Sequence, residues 1–249
     1  MTTETKPAVE SQDRGRRPPT LTIIMPVFNE RNTIEKIVGE VLRAPSAGYR
    51  KEIIIVDDGS ADGTAEILDT LSDGTGVLLL RHETNAGKGA AIRTALRKAT
   101  GDVVLIQDAD LEYDPEEYPA LLAAFGANAP VVYGSRNLAR TGRGYIAFYL
   151  GGRLLTAVLN ALFGVHLTDV NTGYKLFRAD IIKKIDLRGN GFEFCEEVTA
   201  EILKLGYPIR EVPIHYYPRT LSAGKKIGAR DGLVGLWTIL KCRLRRPSR

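Results

Sequence analysis

Apolar and polar positions fall in alternating blocks along the first half of the chain. "LTIIMPV" (Leu21 to Val27) is a near-continuous apolar run, after which Ile34, Ile37, Val38, Val41 and Leu42 recur at helical spacing. "EIIIVDDGS" (Glu52 to Ser60) is a second apolar run that ends in acids and glycine, and the helical "ADGTAEILDTL" follows it. "GVLLLRH" (Gly76 to His82), "DVVLIQ" (Asp102 to Gln107) and "PVVYGSR" (Pro130 to Arg136) continue the series, with a helix expected from Gly87 to Ala99. Asp114 and Pro115 have the chemistry of a helix start, a side-chain cap followed by proline at the first helical position. Strands covered on both faces read as continuous apolar runs, so this alternation predicts an α/β fold with a Rossmann-like, mostly parallel sheet flanked by helices. Ligands of such sheets bind beyond the carboxyl ends of the strands. The clusters "NE", "DDGS", "DAD" and "GSR" all fall there.

The second half is less regular. "EFCEEVTAEILKLG" (Glu193 to Gly206) is helical, and Glu196 and Glu197 on it read either as a solvated face or as acids for chemistry. "YPIREVPIHYY" (Tyr207 to Tyr217) alternates and carries prolines, which suits an edge strand. "YIAFYLGGRLLTAVLNALFGV" (Tyr145 to Val165) is apolar but reads as interrupted by Gly151, Gly152, Arg153 and Asn160, so no transmembrane helix is expected. "ARDGLVGLWTILKCRLRR" (Ala229 to Arg246) reads as a closing helix with an apolar stripe, a tryptophan and a basic end.

Composition adds limits. A chain of 249 residues with 44% hydrophobic content can bury a sizeable core, and a net charge of +4 does not argue for nucleic acid. Two cysteines without a pairing framework point to a reducing, cytoplasmic setting. Residues 1–19 are polar, lack the apolar core of a signal peptide and read as a disordered lead-in. The expected division is therefore a tail over 1–19, one domain over 20–228, and an amphipathic helix with a basic tail over 229–249.

Asp108 and Asp110 stand one residue apart where an apolar strand ends. Carboxylates this close repel unless a hard divalent cation, Mg²⁺ or Mn²⁺, lies beside them, and such a cation can in turn hold a diphosphate. "NAGKGAA" (Asn85 to Ala91), with Lys88, is a glycine-rich turn opening a helix and a candidate phosphate cradle. It matches neither GxxxxGK[ST] nor GxGxxG, which excludes a P-loop enzyme and a dinucleotide-dependent dehydrogenase. His82, His166 and His215 have no metal-ligand spacing.

"MPVFNE", "VDDGSADGT", "NAGKGAAIRTAL", "DADLEYDP", "YGSR" and "DVNTGYKLF" occur in this order. The set resembles the inverting glycosyltransferases of the GT-A fold, glycosyltransferase family 2. With "GFEFCEEVTAEILKLGYPIREVPIHYYPRT" and "GKKIGARDG" the chain is similar to the dolichyl- or polyprenyl-phosphate sugar synthases, over about residues 20–244. The resemblance implies that the C-terminal portion serves the acceptor side. It implies that Pro26, Phe28, Glu30 and Val56 hold the nucleotide, with Asp57 or Asp58 on its base or ribose. Lys88, Asp108, Ala109 and Asp110 would hold the donor diphosphate, with Asp108 and Asp110 on the metal and Glu112 as a third ligand. Arg136, Arg219 and Lys226 would act with Asp110 in catalysis by holding phosphates; the spacing of the late loop leaves Lys225 as an alternative to Lys226. Phe28 stands where the family often has tyrosine, and Glu112 where mannose synthases often have glutamine.

The activity implied is metal-dependent, inverting transfer of a sugar from a nucleotide sugar to polyprenyl phosphate, with mannose from GDP-mannose the first choice and a UDP-sugar the second. The enzyme would sit at the inner face of the cytoplasmic membrane, bound through its last helix or through a separate membrane subunit. Two other readings stand beside it: transfer to a hydroxyl acceptor, for which Asp169, Glu196 or Glu197 would matter as a base, and a nucleotide-sugar-binding subunit without activity.

Overall fold

The structure is a computed structural model and describes residues 17–139, 145–219 and 228–245. Of the lead-in expected over 1–19, residues 1–16 fall outside the described residues, as do Lys225, Lys226 and the last four residues. Seven strands form one sheet: β1 (Thr20–Val27), β2 (Arg50–Asp57), β3 (Leu78–Arg81), β4 (Val103–Ile106), β5 (Val131–Ser135), β6 (Lys175–Arg178) and β7 (Ile209–Pro213), in the order β3-β2-β1-β4-β6-β5-β7. β1 runs parallel to β2 and β4, β2 to β3, and β5 to β7. β6 is antiparallel to both its neighbours, β4 and β5. The five strands expected in the first half are all present, and β7 takes an edge as its prolines require.

Successive side chains of each strand point to opposite faces, so the apolar runs feed two cores. Ile23, Met25, Ile53, Ile55 and Leu105 pack on one face against α1 (Ile34–Arg43), α2 (Thr64–Ser72) and α4 (Tyr118–Ala124). Ile24, Ile54, Val56, Val104 and Ile106 pack on the other against α3 (Lys88–Leu96), α7 (Ala179–Ile182) and α8 (Phe194–Lys204). The helix start at Asp114 is as expected: its carboxylate accepts from Glu116 N at 2.9 Å, and Pro115 opens a 3₁₀ turn that runs into α4.

Two expectations are corrected. Glu196 and Glu197 are not a solvated face; they are 2% and 3% exposed. α8 is covered on its outer side by α9 (Ala229–Leu244) and touches α6 (Ile146–Phe163), so it has no wet face at that level. α6 itself is one unbroken helix of 18 residues, long and apolar enough by length and composition to cross a membrane, with 17% of it buried. Each internal glycine costs a helix only about 1 kcal/mol. Burial of Leu155 and Leu159 beside Ile239 of α9 outweighs that. Asn160 closes the end by pairing with both Leu167 N and Leu167 O.

Candidate active site

Strand direction decides which loops meet. β1, β2, β4 and β5 deliver their following loops to one edge of the sheet. β6 is reversed, so the segment before it, 169–174, arrives at that same edge. There these loops and α6, α8 and α9 enclose a cavity of about 810 Å³. Pro26, Phe28, Glu30, Asp58, Lys88, Asp108, Ala109, Asp110, Glu112, Arg136 and Arg219 all line it. Val56 lies in the core, and the Asp57 carboxylate turns back to accept from Ser60 N at 3.0 Å. Of the two adjacent aspartates, Asp58 is therefore the one at the cavity. It accepts from Ala86 N at 2.9 Å, from Gly87 N at 2.7 Å, and meets His82 Nδ1 at 2.6 Å.

The glycine-rich turn is not an open phosphate cradle. Gly89 N and Ala90 N, the first free donors of α3, bond to Gly191 O at 3.2 Å and Asn190 O at 3.1 Å. The segment 188–191 is fixed there by Glu197, whose carboxylate accepts from Arg188 N at 3.0 Å and Gly189 N at 2.7 Å. Lys88 still enters the cavity and meets Asp108 Oδ1 at 2.5 Å.

The acidic strand end is partnered by cations of the chain itself. Arg219 reaches Asp110 Oδ2 at 3.1 Å and Glu30 Oε2 at 2.9 Å. Burial, then the charges of Asp108 and Glu112, push the Asp110 carboxyl up to about 7, against the pull of Arg219. Lys88 and Arg219 are shared among Glu30, Asp108, Asp110 and Glu112, so acids still outnumber the cations on them, and the two hard oxygen donors fit a divalent cation. The third expected ligand is differently employed. Glu112 accepts from Tyr216 Oη at 2.9 Å and from Arg219 N at 2.9 Å, so it fastens the segment that carries Arg219. Among the described residues no three acidic, histidine or cysteine side chains converge as a metal-holding group. Leu111, between Asp110 and Glu112, has φ of 60°, a left-handed conformation costly for leucine, and Asp110 Oδ1 supports that turn by accepting from Glu112 N at 3.1 Å.

Arg136 follows β5 and pairs bidentately with Asp169, Nε to Oδ2 at 2.7 Å and Nη2 to Oδ1 at 2.8 Å, with its guanidinium 5.1 Å from the Tyr216 ring. Tyr113, Tyr216, Asn171 and Cys195 also line the cavity. Spacing gave them no role, because each reaches the site through a segment whose direction the sequence does not announce. Gly173 is required by closeness: a Cβ there would collide with Asp108 Oδ2 and the Tyr113 ring. Gly173→Ala is expected to cost about 1–3 kcal/mol through overpacking, which denaturant unfolding will read.

Glu196 is the other displaced acid. Burial raises its carboxyl to about 6, against hydrogen bonds from its own amide and Asn171 and the charge of Lys175. A raised carboxyl binds a proton more tightly folded than unfolded, so its contribution to stability falls as pH rises from about 4.5 to 6. Glu196→Gln removes that penalty. Its melting temperature is expected to match wild type below pH 4.5 and to exceed it above pH 6.

The family profile described as "Glycosyl transferase family 2" matches residues 22–186. The chain is 33% identical over 244 residues to a polyprenol monophosphomannose synthase of Mycolicibacterium smegmatis, covering 90% of this chain and 89% of that one. It is 32% identical over 246 residues to an undecaprenyl-phosphate mannosyltransferase of Micrococcus luteus, covering 90% and 98%. Its fold matches that of glucosyl-3-phosphoglycerate synthase from Mycobacterium tuberculosis, solved with Mn²⁺, UDP and phosphoglyceric acid, at a TM-score of 0.71 and 21% identity over 92% of this chain and 80% of that one.

Proposed function

The chain belongs to glycosyl transferase family 2 and is a glycosyltransferase, and on that footing we propose that it moves one hexose from a nucleotide sugar to a polyprenyl phosphate at a membrane surface. One observation carries this reading: a single cavity brings the acidic pair Asp108 and Asp110 together with the cations Lys88, Arg136 and Arg219. A hydroxyl acceptor must lose a proton to a base. A lipid phosphate is already anionic, and needs cations that hold it close to a second anion, the donor diphosphate. The cavity supplies such cations, and Asp169 is occupied by Arg136 rather than poised as a base.

Asp108 and Asp110 are the residues to hold Mg²⁺ or Mn²⁺, which when bound would neutralise charge on the departing nucleotide. Lys88 and Arg219 already stand on these carboxylates and are the cations at hand for phosphate oxygens. Arg136 is assigned to the acceptor phosphate, and Asp58, Pro26, Phe28 and Glu30 to the nucleotide end. Mannose from GDP-mannose is the first assignment, in keeping with the names of the two mannosyl-transferring relatives, and a UDP-sugar the second.

α6 and α9 pack together at the cavity's mouth and expose Ile146, Leu150, Leu154, Leu233 and Trp237. Lys241 and Arg243 follow in the last turn of α9. An apolar face with a cationic end suits a helix pair lying on anionic lipid, which would bring the cavity to its lipid substrate. The inner face of the cytoplasmic membrane is the location this reading assigns.

The test is transfer from labelled GDP-mannose and UDP-glucose, with Mg²⁺ or Mn²⁺, to polyprenyl phosphate, free polyprenol and water-soluble sugars. Label extracted with lipid only when the phosphate is present is the expected result. Transfer confined to hydroxyl acceptors would overturn the reading in favour of the second one, which the raised carboxyl of Glu196 at the same cavity supports. Donor binding with neither transfer nor hydrolysis would leave an inactive binding subunit.

A further inference from the structure

Asn171 and Glu196 line the same cavity. Glu196 accepts from Asn171 Nδ2. Asn171 Oδ1 and the neighbouring Thr172 Oγ1 are buried and have no hydrogen-bond partner among the described residues. A buried acceptor without a donor is costly, and its persistence marks a place where a donor from outside belongs.

The turn that carries these orphans is held firmly. Lys175 Nζ donates to Val170 O at 2.8 Å and to Thr172 O at 2.6 Å, and Val170 N donates to Thr156 Oγ1 at 3.3 Å. At Gly173 the same turn is packed on the Asp108 carboxylate. Asn171 is two residues from that contact, a backbone distance of at most about 7 Å. The pair therefore sits about one sugar ring from the diphosphate end. Gly152 lies beside Asn171 Oδ1, and Gly235 lies beside Glu196 and Leu155, so no bulky side chain comes from these two positions.

The chemistry here favours a neutral polyol. A carboxylate and an amide oxygen both accept, and each sugar hydroxyl can donate. Glu196 repels an anion, and the neighbouring Lys175 is spent on backbone carbonyls, so the Asn171–Glu196 pair itself offers a phosphate no cation.

We propose that Asn171 and Glu196 form the subsite that reads the hydroxyl groups of the donor's hexose, and so select which sugar is carried. This rests on the assignment of a nucleotide-sugar donor made above. Calorimetry on the full chain with Mn²⁺ tests it, comparing GDP-mannose and UDP-glucose with GDP and UDP in wild type, Glu196→Gln and Asn171→Ala. Both variants are expected to bind the nucleoside diphosphate as wild type does, which also shows that they are folded. They should bind the preferred nucleotide sugar roughly tenfold or more weakly. Equal losses for sugar nucleotide and diphosphate, or no loss for either, would overturn the proposal. So would a Glu196→Gln variant that keeps donor affinity yet loses turnover with a hydroxyl acceptor and the acid limb of its pH profile, since Glu196 would then be a base. Wild type that binds the diphosphates but gains nothing from either sugar sinks the donor assignment itself, a result distinct from a variant that behaves as wild type does.

Discussion

Asp110→Ala is expected to lower sugar transfer by about a thousandfold and to leave the fold intact. The carboxylate stands at a loop beyond β4, where it pairs with Glu112 N and Arg219. Its removal therefore takes away one turn-supporting hydrogen bond, worth about 1 kcal/mol. Burial and the charges of Asp108 and Glu112 already oppose its ionisation, so part of that loss is returned. The catalytic loss is different in kind. Without Asp110 the site holds one strand-end carboxylate where a hard cation needs several oxygens, and Arg219 loses one of the two acids that aim it. Initial rates over a Mn²⁺ titration, beside a thermal melt, check this. Turnover within tenfold of wild type would show that the metal assignment is wrong.

Arg136→Met is expected to destabilise the protein by about 3–5 kcal/mol, because it strands the buried Asp169 carboxylate without its bidentate partner. For a chain of this size that is a fall in melting temperature of roughly 10 °C or more. The double variant Arg136→Met with Asp169→Asn should recover most of this, since the charge that was stranded is gone. Turnover should stay low in both if Arg136 holds the acceptor phosphate as proposed, because the guanidinium over the Tyr216 ring is gone. A double variant that regains both melting temperature and turnover would reduce Arg136 to a structural ion pair.

Much of the fold was legible because apolar runs and helical spacing report burial directly. β1 to β5 and the start at Asp114 and Pro115 came from local pattern alone. β6 did not, because "KLFR" is too short to show its period and nothing in it signals reversed direction. The acidic pair was legible from its position at a strand end. The employment of Glu112 was not: its partners, Tyr216 and Arg219, lie 104 and 107 residues away. For Glu196 and Glu197 the sequence leaves a solvated face and acids for chemistry both open, because the cover that α9 gives α8 comes from more than thirty residues further along the chain. α6 was read as broken because glycine was weighed by propensity, while tertiary packing decided. In "NAGKGAA" the local pattern cannot show that the amides of Gly89 and Ala90 are taken by carbonyls that arrive from residues 190 and 191, which leaves Lys88 as the part of the turn facing the cavity.

The reversal of β6 and the closure by Arg219 have a consequence for the order in which the chain is made. Asp110 meets Arg219 across 109 residues, and Arg93 of α3 meets Asn190 across 97. A nascent chain that has emerged only as far as Ile182 carries the acidic pair but neither Arg219 nor the acids of α8. Contacts at such separation form late. Donor binding by a ribosome-held chain is therefore expected to begin only once Arg219 has cleared the exit tunnel. Until then the face that α8 will cover stands open to chaperones.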